Sequence, residues 1–560
     1  MSPIGEARPA LLTLGILLAL QCRPARGANS GFVTVSGTQF TLNGRPHYYA
    51  GANFWQGMNL GMADTNGGDR ARLQRELDRL RAVGVRNLRV MAASEGPDSE
   101  PYRMSPALQP TNGVFNETVF EGLDYLLYEM GQREMRAVMQ LNNYWHWSGG
   151  MAQYVSWVEG SAVPYPPSYP DFTGDWWTFM QYSARFYTNA QCQAAYRFAI
   201  RTVIERTNTI TGVQYKNDPT VFAWQLANEP RMYPQSWIDD TAAYIKSLDS
   251  NHLVTTGSEG EPFGGDFIDT HDGTNIDYAT CHIWPQNWGW YHPSNSATYA
   301  RAVSNALAYL AGHAEDAELL GKPLVLDEFG LARDRSAPLM DEYDPAAPTA
   351  ARDGFYEAVY TAIFTNAVSG GALAGDNAWA WGGEGRPDDP APQWIGDPPH
   401  EIPGWYSVYD ADTSTLAVIS NHAAMMTALV YDSDYDRLPD DWEILHFGSL
   451  TNSSGGANNW DGDRMSDYYE YIADTDPRNP SNYFVIRAEE WNAALGCVVL
   501  SWLGATGRLY TVTAGTNLES EMTVVPAFTD REGTGSTMSY TNCGPFDTPW
   551  FHRVRVRLAP

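Results

Sequence analysis

Two glutamates, Glu229 and Glu328, each end an apolar run of the kind that forms a buried strand. Glu229 closes "VFAWQLANEP" and Glu328 closes "KPLVLDEFG". Paired carboxylates carry out glycoside hydrolysis, in which one acts as general acid and the other as nucleophile or base. Their separation selects the stereochemistry, at about 5–5.5 Å for retention of configuration. The pair predicts this chemistry if one fold brings both strand ends to the same place.

Other apolar runs also stop where a polar or aromatic group begins. These groups are Arg89, Asn142 and Asn143, Asn228, His282, Asp327, Trp379 and Trp381. Any one of them alone is more often structural than functional. Six strand ends that carry such groups are hard to explain by structure only, so we expect them to meet at one mouth.

The elements that must position these groups alternate along residues 31–430. Eight strand-like runs are separated for the most part by amphipathic helices, which predicts an α/β fold, a (β/α)8 TIM barrel with its active site at the carboxyl ends of the strands. The early "FVTVSGTQFTLNGRP" predicts a hairpin that plugs the bottom of the barrel. The predicted strands are "HYYAGANFW", "VRNLRVMA", "RAVMQLNNYW", "VFAWQLANEP", "LVTTGSEG", "DYATCHIWP", "KPLVLDEFG" and "GALAGDNAWAWG". The clearest helices are "GDRARLQRELDRLRAVG", "NETVFEGLDYLLYEMGQRE", "QAAYRFAIRTVIERTN", "ARAVSNALAYLAGHAEDAELL" and "LAVISNHAAMMTAL".

An acid and a nucleophile need opposite surroundings at the working pH. The acid must stay protonated, which burial or a like charge favours, whereas the nucleophile must stay ionised, which a neighbouring arginine favours. We expect Arg89 to serve the nucleophile, and a buried structural ion pair is the alternative for this residue. Asn228 is expected to donate a hydrogen bond to the sugar 2-hydroxyl, a contact that strengthens in the transition state.

Several motifs around these groups resemble those of glycoside hydrolase family 5, in order over residues 32–428. They are "WQLANEP", "LVLDEFG", an arginine after strand two and a tryptophan after strand eight. Four longer motifs resemble more closely the β-1,4-mannanase subfamily of this family. They are "GANFWQGMNLG", "LNNYWHWSGGMAQYVSW", "CHIWPQNWGW" and "NAWAWGGEGR". The resemblance implies a retaining endo-β-1,4-mannanase that acts on β-mannan polysaccharide and needs no cofactor for catalysis. The alternatives are an exo-acting β-mannosidase, an endo-β-1,4-glucanase on the same barrel, and a carbohydrate-binding protein without catalysis.

The resemblance also implies a role for each central residue. Glu229 matches the general acid/base and Glu328 the nucleophile. Asn228 matches the residue that binds near the 2-hydroxyl, and Arg89 the arginine that supports the nucleophile.

Four further positions follow from the same resemblance. His282 matches the histidine of the −1 subsite. Trp379 matches the stacking platform of that subsite, with Trp381 as the second choice. Trp284 stands where many members have a tyrosine, so either its indole N–H holds the nucleophile or nothing at that position does.

Other residues are candidates for contact with the sugar chain. For the aromatic ones, ordinary packing is as good an interpretation as sugar stacking; they are Trp55, Trp145, Trp147, Trp288 and Trp290. Asn143 is a polar candidate at the end of strand three. Arg231 follows the acid/base closely and either bonds a sugar in a plus subsite or forms a surface salt bridge.

An acidic segment after the barrel repeats one spacing twice, over residues 432–443 and 459–470. Oxygen-bearing residues at positions 1, 3, 5, 9 and 12, with a backbone carbonyl at position 7, are typical of a calcium loop. The candidate metal ligands are Asp432, Asp434, Asp436, Asp440 and Glu443 in the first copy and Asn459, Asp461, Asp463, Asp467 and Glu470 in the second. Both copies have arginine, Arg437 or Arg464, at position 6, where glycine is normal.

The acidic segment resembles thrombospondin type 3 or dockerin-like calcium repeats. The spacing predicts structural Ca²⁺ that stiffens the connection to the C-terminal part, and a solvated acidic linker is the alternative. Docking to a cohesin-type partner is the less favoured version of the resemblance.

The remaining sequence features set the location and the domain boundaries. The net charge of −30 argues against nucleic acid and anionic membrane as partners. Residues 1–27 have the pattern of a secretory signal, so we expect export. We expect the catalytic domain at 28–430, the acidic segment at 431–482 and a small β-sandwich at 483–560. Cys497 and Cys543 can pair in an oxidising compartment, whereas Cys192 and Cys281 are expected to be buried thiols.

Overall fold

A computed structural model describes most of the chain. The described residues are 29, 31–260, 265–334, 347–387, 394–432, 434, 436–450, 458–492, 496–516, 522–543 and 550–558. The predicted secretory signal at 1–27 lies outside them. Within these ranges, the helices are all too short or too polar to cross a membrane.

Three short antiparallel strands precede the barrel and close its bottom. Phe40 is buried, and its ring packs edge-on against Phe222 and Tyr278, at 5.1 and 5.3 Å between ring centroids. Both partners lie at the amino-terminal ends of barrel strands, so the predicted plug is present, with three strands where a hairpin was expected. The bounds are β1 (Thr34–Ser36), β2 (Gln39–Leu42) and β3 (Arg45–Pro46).

Eight parallel strands form one sheet that curls into a nearly closed barrel. The bounds are β4 (Tyr49–Asn53), β5 (Asn87–Met91), β6 (Arg136–Gln140), β7 (Val221–Gln225), β8 (Leu253–Thr255), β9 (Ala279–Ile283), β10 (Leu324–Phe329) and β11 (Leu373–Ala378). Their order in the sheet is β8-β7-β6-β5-β4-β11-β10-β9, and every residue in them is buried. Two backbone hydrogen bonds cross the seam between β8 and β9, from Asp277 N to Val254 O at 2.8 Å and from His282 N to Glu259 O at 2.9 Å. The eight predicted strands are confirmed, and the arrangement is consistent with a (β/α)8 barrel.

Helices cover the outside of the barrel. Some of their first turns are capped by side chains, for example by Asp69 before α2 and Asn116 before α3, each of which accepts a backbone N–H. Leu73, Leu77 and Leu80 of α2 recur at helical spacing and are fully buried against the sheet. The bounds are α1 (Gly57–Leu60), α2 (Arg70–Ala82), α3 (Glu117–Gln132), α4 (Gly150–Glu159), α5 (Trp176–Thr188), α6 (Ala190–Ile204), α7 (Gln235–Leu248), α8 (Phe267–His271), α9 (Tyr299–Leu320), α10 (Ala350–Val368) and α11 (Thr413–Ala428). All five helices predicted above are among them.

After β11 the chain leaves the barrel wall. It forms a two-stranded parallel pair, β12 (Trp381–Gly383) and β13 (Val408–Tyr409), and residues from 398 to 405, between these strands, border the barrel mouth.

The described residues of the C-terminal part form two short helices and two antiparallel sheets. The bounds are α12 (Asp440–Phe447), α13 (Asp467–Ala473), β14 (Ala488–Asn492), β15 (Cys497–Gly504), β16 (Arg508–Gly515), β17 (Thr523–Val524), β18 (Arg531–Glu532), β19 (Ser536–Cys543) and β20 (Phe551–Leu558). One sheet has the order β14-β15-β19, and in the other β16 pairs with β17, β18 and β20. A disulfide joins Cys497 to Cys543, and Cys192 and Cys281 are buried free thiols, as predicted.

Candidate active site

A cavity of about 550 Å³ lies at the carboxyl ends of the barrel strands and contains both predicted catalytic glutamates. Asn228, Arg231, Glu259 and Asn287 add polar groups to its wall. Eight aromatic residues also line it: Trp145, Trp147, Phe172, Trp176, Trp284, Trp288, Trp379 and Trp405. Flat apolar rings with a few convergent polar groups suit a sugar, whose ring faces are apolar and whose hydroxyls need hydrogen bonds.

Glu328, near the end of β10, is held by a buried arginine from β5. Arg89 is fully buried, and its Nη1 donates to Glu328 Oε1. The same guanidinium donates to Asn53 Oδ1 at 3.0 Å and to Gln225 Oε1 at 2.9 Å, and it lies 3.0 Å from Asp327 Oδ2. Arg89 therefore pairs both with the predicted nucleophile and with a structural carboxylate, so both interpretations of this residue describe part of its surroundings.

Asn228 is oriented by two neighbours. Its Oδ1 accepts from Arg89 Nη2 at 2.8 Å, and its Nδ2 donates to Asn143 Oδ1 at 3.2 Å. One amide N–H of Asn228 is left for a ligand in the cavity. Asn143 is itself fully buried and is not among the residues that line the cavity, so it positions Asn228 and does not reach a sugar.

Glu229 follows β7 in a left-handed backbone conformation, with φ of 46°. This conformation is uncommon for a residue with a side chain and is found where surrounding structure holds it in place. Trp145 Nε1 donates to Glu229 Oε2 at 2.6 Å, and His282 Nδ1 donates to Oε1 at 2.7 Å. These two hydrogen bonds fix the carboxylate at the edge of the cavity.

His282 connects the two glutamates. Its Nδ1 also lies 3.3 Å from Glu328 Oε2, and the nearest carboxylate oxygens of the pair and this nitrogen are all within 4.8 Å of one another. Two carboxylates and one imidazole this close together can also hold a metal ion. The guanidinium of Arg89, already paired with Glu328, disfavours a further cation there.

The pKa values of Glu229 and Glu328 have the opposite order to the one expected for an acid and a nucleophile. Burial raises the pKa of Glu328 to about 7, against the positive charges of His282 and Arg89. Burial also acts to raise the pKa of Glu229, but the hydrogen bond and charge of His282, with the charge of Arg231, lower it to about 2. The proton of this pair is thus favoured on Glu328, the reverse of the expected assignment. Groups this close share their protons, so the pair holds one proton between about pH 2 and 7.

The indole of Trp284 does not make the contact with Glu328 that was one of the two expectations for this position. Its indole packs edge-on against Trp379 at 5.8 Å and tilted against Tyr406 at 4.9 Å between ring centroids. The polar contacts described for the carboxylate of Glu328 come from Arg89 and His282. The imidazole of His282 supplies the second contact in this chain.

Two predicted substrate-binding tryptophans lie away from the cavity. Trp55 is buried beside Trp147 and Trp394, donates to Gly396 O, and borders a separate cavity of about 210 Å³. Trp381 donates to Glu76 Oε2 at 3.0 Å, because by this residue the chain has left the barrel to form β12. Among the other aromatic candidates, Trp145, Trp147, Trp284, Trp288 and Trp379 line the cavity, and Trp290 packs behind Trp288.

Sequence reasoning missed Glu259, a third carboxylate in the cavity wall. It follows β8 and accepts from Arg231 Nη2 at 2.8 Å, while the guanidinium of Arg231 lies 4.7 Å from the ring centroid of Trp145. This ion pair is buried, not at the surface, since Glu259 is 1% exposed. Burial, then the charge of Glu229, raises the pKa of Glu259 to about 7 against the pull of Arg231. The signal for Glu259 in the sequence is its position near the end of the predicted strand "LVTTGSEG".

Sequence reasoning also missed the loop of residues 397–406. It contributes His400, Glu401 and Trp405 to the cavity wall. The backbone N–H of Tyr169, in the loop after α4, donates to His400 O at 2.9 Å, so two long loops meet beside the cavity. No strand-end pattern marks this loop, and its position depends on contacts far apart in sequence.

The predicted calcium ligands lie together in part. Carboxylate oxygens of Asp432, Asp434 and Asp436 are within 4.8 Å of one another, as are those of Asp461, Asp463 and Glu470. Asp440 and Asp467 are the first residues of α12 and α13, and Asn459 Oδ1 accepts from the backbone of its own loop.

Comparisons with known proteins agree on the kind of protein that this chain resembles. The family described as GH family 5 β-mannosidase-like matches residues 30–430. Mannan endo-1,4-β-mannosidase 1 of Arabidopsis thaliana is 33% identical over 376 residues, 62% of this chain and 82% of that protein. A glycoside hydrolase family 5 mannosidase of Rhizomucor miehei is 42% identical, covering 71% of this chain and 98% of its own, with a TM-score of 0.68. The endo-1,4-β-mannanase of the same organism is 25% identical, covering 71% and 100%, with a TM-score of 0.52.

Proposed function

The chain belongs to the β-mannosidase-like part of glycoside hydrolase family 5, and from that premise we propose that it is a retaining endo-β-1,4-mannanase. Its substrates are internal β-1,4-mannosidic bonds of mannan, glucomannan or galactomannan. The observation that carries the proposal is the approach of Glu229 and Glu328 to within 4.8 Å around His282 in an aromatic cavity. Inverting enzymes hold their carboxyl groups about 6.5–9.5 Å apart to admit a water, so this spacing favours retention.

In the first step Glu328 attacks the anomeric carbon of the sugar in the −1 subsite. A bond forms between a carboxylate oxygen and that carbon while the glycosidic C–O bond breaks. Glu229 gives its proton to the departing oxygen, and the leaving chain carries a new hydroxyl. Before this step the proton of Glu328 must pass to Glu229, which leaves Glu328 ionised for the attack. The Nδ1 of His282, 2.7 Å from Glu229 Oε1 and 3.3 Å from Glu328 Oε2, can carry this proton by giving one to Glu229 and taking one from Glu328.

In the second step Glu229 acts as a base. It takes a proton from water, whose oxygen attacks the anomeric carbon, and the bond to Glu328 breaks. Glu328 leaves as a carboxylate, and Arg89 stabilises the charge that returns to it. Two displacements at one carbon restore the original β configuration.

The cavity wall supports the binding of the sugar. The free amide N–H of Asn228 is the donor for the 2-hydroxyl at −1, and Trp379 is the stacking platform of that subsite. Arg231, held by Glu259 and stacked on Trp145, is the donor for a sugar on the leaving side. Each of these groups is held in position by neighbours before substrate arrives, which reduces the cost of ordering them in the transition state.

An exo-acting β-mannosidase is the second candidate, and one observation favours it. The hydrogen bond between Tyr169 N and His400 O joins two loops beside the cavity, and a joined wall limits the passage of a long chain. The family 5 mannosidase of Rhizomucor miehei is also more similar to this chain than the endo-mannanase of the same organism. An endo-β-1,4-glucanase uses the same two glutamates and differs only in the sugars it accepts.

Product analysis separates these candidates. An endo-mannanase converts mannohexaose to mixed shorter oligosaccharides from the start, whereas an exo-enzyme releases mannose before any intermediate length. Activity on mannan and glucomannan without activity on carboxymethyl cellulose supports the mannanase, and the converse supports the glucanase. Glu328→Gln is the control for contaminating activity, and near-normal turnover by this variant would exclude the proposed mechanism.

The rest of the chain has a proposed organisation around this enzyme. We expect export by the signal at 1–27 and then a catalytic domain at 28–430, an acidic segment at 431–482 and a β-sandwich at 483–560. The disulfide between Cys497 and Cys543 supports an oxidising compartment. A common buried cluster of Leu500, Trp502, Tyr510 and Val512 from β15 and β16 supports a two-layer sandwich.

A further inference from the structure

Outside the active site, two buried glutamates have carboxylate oxygens without partners. Glu443 in α12 and Glu470 in α13 are both 0% exposed. In the part of the chain that the structure describes, the two carboxylate oxygens of Glu443 have no hydrogen-bond partner. The same is true of Oε2 of Glu470. A buried carboxylate of this kind is costly unless a cation or a set of donors compensates it.

Other acidic oxygens converge on these glutamates. Glu470 lies within 4.8 Å of Asp461 and Asp463, measured between the closest set of carboxylate oxygens. Glu443 lies within electrostatic reach of Asp434 and Asp436, which form a second such group with Asp432. Further oxygens without partners belong to Asp436, Asp461 and Asp463. Repulsion among these groups disfavours the arrangement unless positive charge is placed between them.

The two loops share one internal hydrogen-bond pattern. The side chain at position 1 accepts the N–H of position 5, and the side chain at position 5 accepts the N–H of position 7. The bonds are Asp432–Asp436 at 3.0 Å and Asp436–Leu438 at 2.9 Å, and Asn459–Asp463 at 3.1 Å and Asp463–Met465 at 2.5 Å. Asp436, Asp461 and Asp463 each use Oδ1 to accept a backbone N–H of their loop, and their Oδ2 atoms remain for a ligand. Both oxygens of Asp432 accept backbone N–H groups, from Asp436 and Arg437.

We propose that each loop binds one Ca²⁺ and that the pair of occupied loops fixes the C-terminal sheets to the barrel. The ligands are Asp432, Asp434, Asp436 and Glu443 in the first loop and Asn459, Asp461, Asp463 and Glu470 in the second. Asp440 and Asp467, at position 9, begin α12 and α13 and are not among the proposed ligands. A flexible set of many oxygens suits Ca²⁺, whereas Mg²⁺ demands a near-ideal octahedron and keeps several waters.

The loops are joined to each other and to both neighbours. Trp442 of α12 packs on Tyr471 of α13 at 5.7 Å between ring centroids. Asp441 forms an ion pair with Arg45 of the barrel plug. On the other side, Arg508 of β16 donates to Ile472 O at 2.8 Å and to Tyr471 O at 2.9 Å, at the end of α13. Cations that hold the two helices in place therefore act on the contacts to the barrel and to the C-terminal sheets together.

Calorimetric titration of the full-length, chelator-stripped protein with Ca²⁺ tests the proposal. We expect two sites in the wild type and one in each of Glu443→Gln and Glu470→Gln. Glu315→Gln, an exposed change on α9, is the matched control and keeps two sites. No binding at millimolar Ca²⁺, or two sites in both loop variants, would overturn the proposal.

Thermal unfolding shows whether the loop variants have a folding defect. Without Ca²⁺, Glu443→Gln should melt at the wild-type temperature or above it, because the change removes a buried negative charge. With Ca²⁺, the melting temperature should rise further in the wild type than in the variant, and an equal rise in both contradicts the proposal.

Limited proteolysis tests the connecting role. Chelator should accelerate cleavage within residues 431–482 of the wild type and should leave hydrolysis of mannohexaose by the barrel unchanged. Cleavage at equal rates with Ca²⁺ and with chelator would refute the connecting role. Because the readouts are binding, melting and cleavage, failure of this proposal is distinct from failure of the proposed enzyme activity.

Discussion

The Nδ1 atom of His282 lies 2.7 Å from Oε1 of Glu229, so the imidazole and the predicted acid/base share a hydrogen bond. The same nitrogen is 3.3 Å from Oε2 of Glu328. A single imidazole thus faces both carboxylates of the candidate active site, and the protonation of all three groups must be considered together.

The first prediction concerns the pH dependence of kcat/KM for mannohexaose. Catalysis needs one proton on the glutamate pair, because the nucleophile must be ionised and the acid protonated. With pKa values of about 2 for Glu229 and about 7 for Glu328, the pair holds one proton between these limits. Activity should fall above about pH 7, as the last proton leaves, and should show no acid limb near the ordinary carboxyl pKa.

The acid side of this profile needs a control for unfolding. Circular dichroism at each pH separates loss of structure from loss of the ionised nucleophile. A folded enzyme whose kcat/KM falls with a midpoint near pH 4.5 would contradict the shared-proton description.

The second prediction is that His282→Gln moves the alkaline limb to higher pH. The positive charge of His282 lowers the pKa of Glu328 and of Glu229, so its loss raises both. The measurement is the same pH profile for the variant, with a lower maximal rate expected as well. His292→Gln, at an exposed histidine, should keep the wild-type profile. An unchanged alkaline limb in His282→Gln would show that the imidazole does not set these pKa values.

The third prediction concerns the buried pair of Arg231 and Glu259. Glu259→Gln removes the carboxylate that holds the guanidinium over Trp145, whose indole donates to Glu229. We expect kcat/KM on mannohexaose to fall roughly tenfold, which corresponds to about 1.4 kcal/mol of transition-state stabilisation. The exposed change Glu315→Gln is the control. Wild-type kinetics in Glu259→Gln would mean that the pair is not needed to position the cavity wall.

The fourth prediction concerns the disulfide between Cys497 and Cys543, which are separated by 46 positions. Closing a loop of this length stabilises a folded region by about 4 kcal/mol in the chain-entropy description, and measured values are typically about 2–4 kcal/mol. The double change to serine should lower the free energy of unfolding of the C-terminal strands by that range, measured by chemical denaturation. Hydrolysis of mannohexaose should persist, since the barrel does not contain the disulfide. Loss of activity in the folded double variant would contradict a separate catalytic barrel.

The barrel could be predicted because its strands have a simple physical signature. Runs such as "VFAWQLANEP" are buried on both faces, as all of β4 to β11 are, and six of the eight have a polar or aromatic candidate group at or near their ends. Arg89, Asn228, Glu229, His282 and Glu328 were found for the same reason, since each stands at or near such an end.

The errors come from geometry beyond the strand ends. Trp381 is only two residues past Trp379, yet the chain has turned into β12 by then and its indole bonds to Glu76. The contribution of His400 depends on a hydrogen bond to Tyr169, a residue far away in sequence. The pKa order of the two glutamates depends on the distances from one imidazole, which residue types alone do not give.

The identity of the nucleophile is tested most directly by trapping the covalent intermediate. A 2-deoxy-2-fluoro-mannosyl fluoride slows both steps, so the sugar should accumulate on the enzyme, and mass spectrometry of the digested protein locates it. The account predicts one sugar on the peptide that contains Glu328, with none in Glu328→Gln. A label on the peptide that contains Glu229 would contradict the account, as would no label together with an inverted product anomer in the proton NMR spectrum.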